Sequence, residues 1–258
     1  MSASRSVLVG FVSTFLFLAS SCSLQSTVPP TAPEPPPLPT SLPTSLPTDT
    51  PLPPSPSPIP SDTPTPAPTF SDDFLNTLQP GWTWIRENSS RWSLASEPGF
   101  LRIVLEGGRY HRNILLREVS RQDFDISTRV EFTPTSNFQI AGLIVYADDS
   151  SMIKLGRAFC NVAGNCVGNG IYFDSMQNGQ LGGPNYATET SLQDEAYLRI
   201  NKTGSLFTAY YSEDGEDWVA IGEHEAEMPN PKVGVFAGQS NVVGAAANFD
   251  YFTLQEGS

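Results

Sequence analysis

Eighteen of the chain's 24 prolines fall between residues 23 and 69, interleaved with Ser and Thr in strings such as PTSLPTSLPTDTPLPPSPSPIPSDTPTPAP. Proline has no amide hydrogen to give to a helix or sheet, and its fixed φ favours polyproline II, so no packed core can form there. A disordered stalk is expected, whose 47 residues at about 3.1 Å each reach on the order of 140 Å when extended. A role as ligand for proline-recognition domains is the poorer reading in an exported chain. The sequence thus divides into three zones: residues 1–22, the stalk at 23–69, and a foldable region at 70–258.

Residues 1–22 carry Arg5 and then the apolar run VLVGFVSTFLFLA. The run is shorter than the roughly 20 residues that span a bilayer and has the anatomy of a signal peptide. It ends in LASSC, which resembles the lipobox of bacterial lipoproteins, where a small residue precedes a cysteine that is diacylated and becomes the mature N-terminus. The resemblance makes Cys22 the lipid anchor. The aliphatic residue usual three positions before the cysteine is displaced, with Ala19 there and Leu18 one earlier. An ordinary secretory signal cut near Ser21 is the competing reading.

Either route exports the protein, as a cell-surface lipoprotein or in secreted form, and brings Cys160 and Cys166 into an oxidising compartment. Only NVAGN separates them, and Gly164 with two asparagines can reverse the chain, so a disulfide is expected rather than metal ligation. Closing so short a loop contributes about 2–3 kcal/mol in the chain-entropy model. Two free thiols packed as small apolar groups are the alternative. The foldable region holds 13 basic and 24 acidic residues, a net charge of -11. Such a surface repels nucleic acid and anionic lipid, which leaves the N-terminal lipid as the tie to a membrane.

From Phe70 onward, short alternating or apolar runs rich in β-branched and aromatic residues are broken by Gly, Asn, Asp and Pro, the texture of an all-β domain. Thirteen segments read as strands: WTWIRE, RWSLAS, FLRIVLE, RNILLRE, DISTRVEF, QIAGLIVYA, MIKLGRA, GIYFDS, AYLRINKT, LFTAYYS, WVAIGE, KVGVFAG and ANFDYFTLQ. A helical turn is conceivable only near Ser191 to Glu195. So many strands exceed a small barrel or an immunoglobulin sandwich and fit a two-sheet antiparallel jelly roll. Alternation separates inside from outside: Leu101, Ile103 and Leu105 share one face, and Val130 and Phe132 oppose Arg129 and Glu131. Glycines in the central AGLIVYA and KVGVFAG imply close approach of the facing sheet or of a ligand.

The acidic cluster in AYYSEDGEDWVAIG lies between two such strands, with Asp214-Gly215 as a turn signal. It lacks the spacing of an EF-hand loop and is one residue short of the sialidase Asp-box, S-x-D-x-G-x-x-W. A plain turn is expected. In order, FSDDFLNTLQPGWTWIRENSSRWSLASEPGFLRI, AGLIVYADD, LRINKTGSLFTAYYSEDGEDWVAIG, KVGVFAG and NFDYFTLQ resemble the concanavalin A-like β-sandwich at the C-terminus of bacterial β-xylosidases and in related stand-alone modules. The resemblance covers residues 70–258 and implies a lectin/glucanase-type jelly roll acting near polysaccharide. It does not extend to a β-xylosidase catalytic domain, because residues 1–69 read as signal and stalk.

A glycosidase needs two carboxylates about 5–9.5 Å apart, and the E-x-D-x-x-E strand motif of concanavalin A-like glucanases is missing. His111 and His224 stand far apart without a zinc-type partner, and no serine has a nucleophile-elbow context. A non-catalytic role is therefore expected, with an unrecognised hydrolase or a structural, protein-binding envelope module as rivals. The glucanase resemblance implies one structural calcium held by the Asp250 side chain and by backbone carbonyls at Asp72 or Asp73 and at Gly99, against which stands Asp250 as a solvated strand residue. For a polysaccharide or oligosaccharide, bound by a monomer, the candidates are Trp84 with Arg86 on one strand, Asn113 with Arg117 on another, and Tyr146, Lys154 and Tyr172 on central strands. The competing reading places the tryptophans in the core and the arginines on the surface.

Overall fold

The computed structural model describes residues 69–107, 111–162, 164, 166–238 and 242–257. The expectations placed on the signal, on Cys22 and on the stalk up to residue 68 lie outside these. Fifteen strands follow in order: β1 (Phe70–Asp72), β2 (Trp82–Ile85), β3 (Trp92–Ser93), β4 (Leu101–Val104), β5 (Ile114–Glu118), β6 (Phe124–Glu131), β7 (Ile140–Asp148), β8 (Ser151–Cys160), β9 (Gly168–Gln177), β10 (Gln180–Thr188), β11 (Glu195–Thr203), β12 (Leu206–Ser212), β13 (Val219–Glu225), β14 (Lys232–Gly238) and β15 (Ala246–Glu256). Among the described residues the one helical element is a 3-10 turn at Ser89–Arg91, not near Ser191.

The strands form two antiparallel sheets. The first runs β13-β12-β11-β6-β15-β4-β3, with β1 also pairing β15, and the second runs β10-β9-β8-β7-β14-β5-β2. β14 lies between β5 and β7, and β15 between β6 and β4, so the chain crosses repeatedly from sheet to sheet. Period-two alternation explains the layering. Phe124, Ile126 and Val130 of the first sheet face Leu143, Leu155, Phe173 and Val235 of the second across one continuous core.

The second sheet departs from a half-solvated face. Its outer side carries a further apolar cluster, with Ile114, Leu116, Ile144 and Phe236 fully buried. β7, β8 and β14 are therefore buried on both faces, which accounts for the unbroken runs IAGLIV of β7 and KVGVFAG of β14. Gly234 is required within the sheet itself: a Cβ there would lie 1.9 Å from the Leu115 carbonyl oxygen of neighbouring β5. The close partner is the adjacent strand's backbone, neither the facing sheet nor a ligand. At Gly142 both kinds of neighbour crowd, the Leu155 oxygen at 2.2 Å and Leu198 Cδ1 of the facing sheet at 2.8 Å.

Two strands escaped the sequence reading. β1 is only three residues long, and β10, QLGGPNYAT, contains Gly182, Gly183 and Pro184. β10 tolerates them because it is an edge strand with a register shift between Gly182 and Tyr186, where a missing amide donor breaks no inner ladder. The Asp214-Gly215 turn is longer than two residues. Asp214 Oδ1 accepts from the amides of Glu216 and Asp217, both at 2.9 Å, Ser212 Oγ accepts from the Gly215 amide at 2.9 Å, and Gly215 takes φ +82°. Glu213 is held by the hydroxyls of Thr190 and Ser191 and by the Ser191 amide. These hydrogen bonds draw both carboxylates below their ordinary pKa range. The acidic cluster is thus a hydrogen-bonded turn.

Candidate functional site

Tyr146 on β7, Lys154 on β8 and Tyr172 on β9 all project to the outer side of the second sheet, as their register with apolar outer-face neighbours requires. Lys154 is fully enclosed between Ile144 and Asp174, its register partners on β7 and β9. Burial lowers the Lys154 pKa, and the Asp174 charge opposes that shift. Burial raises the Asp174 pKa, opposed by the charges of Lys154 and His224.

At one end of this face the Tyr146 hydroxyl donates to Asp149 Oδ1 at 2.9 Å, and Arg86 Nη1 donates to Asp149 Oδ2 at 2.9 Å. Arg86 Nε also donates to the His111 carbonyl at 2.6 Å. The expected alternation of Trp84 with Arg86 fails because β2 ends at Ile85 and Arg86 has φ +50°. Asn113, at φ +51°, precedes β5 and is likewise out of step with Arg117. These two left-handed residues turn Arg86 over the outer face, while Asn113 Oδ1 accepts from the Asn88 amide at 2.6 Å.

The other candidates lie elsewhere. Trp84 packs against the inter-sheet core, with its ring 4.8 Å from that of Trp92. Arg117 stacks its guanidinium 3.2 Å from the Phe70 ring centre and lines a separate hollow with Thr69, Ser120 and Glu256. Burial lowers its pKa, against the charges of Glu256 and Asp72. Asp72 is buried and accepts from the amides of Phe74 and Gln79 and from Trp82 Nε1, at 3.0, 2.8 and 2.8 Å.

Asp72 pairs in register with the core residue Phe252, whereas Asp250 reaches Arg129 on the sheet's outer side at 3.4 Å. The two carboxylates therefore lie on opposite faces. Gly99 is a left-handed turn residue in open surroundings, and Asp73 is exposed. Donors already converge on the Asp72 carboxylate, the reverse of what a cation needs, so that side chain does not join Asp250 on one calcium ion. Among the described residues no group of three or more His, Cys, Asp or Glu could hold a metal.

Beyond Tyr172, the outer face opens into a cleft of about 270 Å³ lined by Ile140, Ala158, Tyr172, Asp174, Leu181 and Asn185. Cys160 and Cys166, bonded to each other with Cα atoms 5.2 Å apart, form part of its wall. The Tyr172 hydroxyl is spent on that loop, accepting from the Val167 amide and donating to the Gly168 carbonyl, both at 2.9 Å. Its ring lines the cleft. Phe138, Val162 and Leu181 form an apolar rim and are 52%, 46% and 60% exposed.

Phe138 sits at φ +70°, a conformation that costs a bulky L-residue energy. Its surroundings impose it: the Phe138 amide donates to the Phe159 carbonyl at 2.9 Å, and Gln139 Oε1 accepts from the amides of Thr135 and Ser136. Sequence reading found Tyr172 but missed Phe138, Asp174, Leu181 and Asn185. A lone carboxylate inside GIYFDS was a legible signal for Asp174. The backbone strain at Phe138 was not.

The family model of the β-xylosidase C-terminal concanavalin A-like domain matches residues 71–255, and the chain belongs to that family. A xylan 1,3-β-xylosidase from a Vibrio species is 27% identical over 194 residues, covering 65% of this chain and 34% of the relative. The GH43 protein BlXynB of Bacillus licheniformis shares the fold at TM-score 0.62 and 22% identity, over 72% of this chain and 39% of its own. Xylan β-1,4-xylosidase from Bacillus halodurans C-125 does so at TM-score 0.63 and 19% identity, over 76% and 41%. The chain thus spans about a third of the curated relative's length, and the solved structures at this identity inform on fold alone.

Proposed function

We propose that the folded region is a non-catalytic accessory module that binds polysaccharide or oligosaccharide through the outer face of the second sheet. The observation that carries this reading is the cleft. Aromatic and aliphatic side chains on its rim and walls can cover the C–H face of a sugar ring, while the Asp174 carboxyl and the Asn185 amide can meet hydroxyls. Family membership supports a carbohydrate as the partner, and the xylosidase names of the relatives point to neutral pentose polymers.

Binding is favoured over hydrolysis because Asp174 is the one carboxylate among the cleft-lining residues. Elsewhere, Glu131 and Glu195 face each other across β6 and β11 and line a hollow of about 520 Å³, but both carboxylates are ion-paired to the Arg129 guanidinium. In the same reading the signal exports the chain, and the stalk, held by a lipid at Cys22 or free in the secreted form, carries the module toward a bulky partner. A glycan panel and a reducing-sugar assay on the full chain form the test. Binding to xylan-derived oligosaccharides without release of reducing ends is expected. Turnover would establish a hydrolase, and absence of binding to any glycan would leave an envelope structural module.

A further inference from the structure

We infer, resting on that binding reading, that the cleft takes a single neutral sugar residue at the end or branch point of a chain rather than a run of consecutive residues. A run needs an open groove across several strands. On this face the space over β5, β7 and β14 is filled: Ile114, Leu116, Ile144 and Phe236 have no solvent-exposed surface. The His111 ring stands edge-on to Phe236 at 5.1 Å, and Lys154 is enclosed beside them. Arg86, Asp149 and Tyr146 bond one another there, and Arg86 also bonds the His111 carbonyl.

Open volume remains at the β8–β9–β10 end, bounded by the disulfide loop on one side and by Leu181 and Asn185 of β10 on another. At about 270 Å³ it lies at the small end of ligand sites, which run to roughly 300–1,000 Å³. That space suits one ring with a margin for its neighbour. Its lining holds one carboxyl and one amide, among walls otherwise made of aliphatic and aromatic side chains and the disulfide.

Charge sets the chemical class. The region's net charge of -11 and the Asp174 carboxyl lining the cleft disfavour a uronic acid, so the occupant is a neutral residue. Phe138, strained and half exposed at the rim, supplies the stacking plane and has no comparable role in the core.

Titration of the full chain with xylobiose and xylohexaose tests the mode. End-on capture predicts molar affinities within about threefold of each other, because added residues hang in solvent. A groove predicts that each stacked ring adds to binding, so the hexasaccharide would bind at least about tenfold tighter. That result would overturn the inference while leaving the binding reading intact. Failure of both sugars to bind would overturn this inference together with the pentose-polymer form of the binding reading. Leu181→Ser, at an exposed rim position, is expected to weaken both ligands by the same factor with an unchanged melting temperature. Weakening confined to xylohexaose would again overturn single-residue capture.

Discussion

Replacing Phe138 by Asn separates a residue kept for packing from one kept for contact with a ligand. At φ +70° a bulky L-residue pays about 1–2 kcal/mol, most of which Asn avoids by tolerating the left-handed region. Against this gain stands lost burial. The residue is 52% exposed, so roughly half of the ~1.5–3 kcal/mol for full burial is at stake, or about 1 kcal/mol. The two effects nearly cancel. Phe138→Asn should shift stability by no more than about 1 kcal/mol and Tm by no more than ~4 °C, where truncating an enclosed phenylalanine costs about 3–5 kcal/mol. Binding should fall by roughly fivefold for the loss of one stacking plane worth about 1 kcal/mol. Urea melts and calorimetric titration with xylobiose measure the two quantities on one preparation. A loss of 3 kcal/mol or more in stability would show that the ring serves the core, and unchanged affinity in a folded variant would refute the stacking role.

Gly234→Ala should cost at least about 3 kcal/mol, read as a lowered urea midpoint, because its Cβ would meet the Leu115 backbone oxygen at 1.9 Å and force β14 from β5; an unchanged midpoint would contradict the close approach. Asp72→Ala strips the acceptor from two amides and one indole N–H, and a loss of roughly 2–3 kcal/mol is expected in the same melt. His111 is held to a pKa of about 3 by burial first and then by the Lys154 and Arg86 charges, below its ordinary value of 6.5. The unfolded chain therefore takes up this proton first, so the stability it contributes is full above pH ~6.5 and is lost as pH falls toward 3. His111→Leu should narrow the gap between urea midpoints at pH 7.5 and 4.5, and an equal gap in both proteins would disprove the assignment.

The fold was legible because its determinants are local in sequence. Alternation in FLRIVLE and STRVEF assigns inner and outer faces, and the runs around Ile144 and Val235 mark strands covered on both sides. β10 was not legible, since its Gly-Gly-Pro is compatible with a strand only at an edge with a bulge, and edge position is a property of the whole sheet. Of the residues lining the cleft, Tyr172 and the paired cysteines were legible. Tyr146, Lys154 and Tyr172 share a face because they sit on adjacent long strands in register. Trp84 and Arg117 fall on the inward faces of β2 and β5, and period-two spacing by itself does not say which face of a strand points inward. Arg86 and Asn113 depended on two left-handed backbone angles, and Phe138 on a third, and such angles at non-glycine residues leave no mark in the one-dimensional pattern.

The edges of the sandwich bear on how copies of this domain behave when crowded together. β3 has two residues and β2 four, too few to template an added strand. β10 is broken by Pro184 and its register shift, and β13 carries Glu223 and Glu225, so neither offers a clean neutral ladder. A sheet whose borders are short, interrupted or charged resists zipping onto its neighbour. Domains of this kind can therefore be packed densely on a surface without polymerising through their backbones.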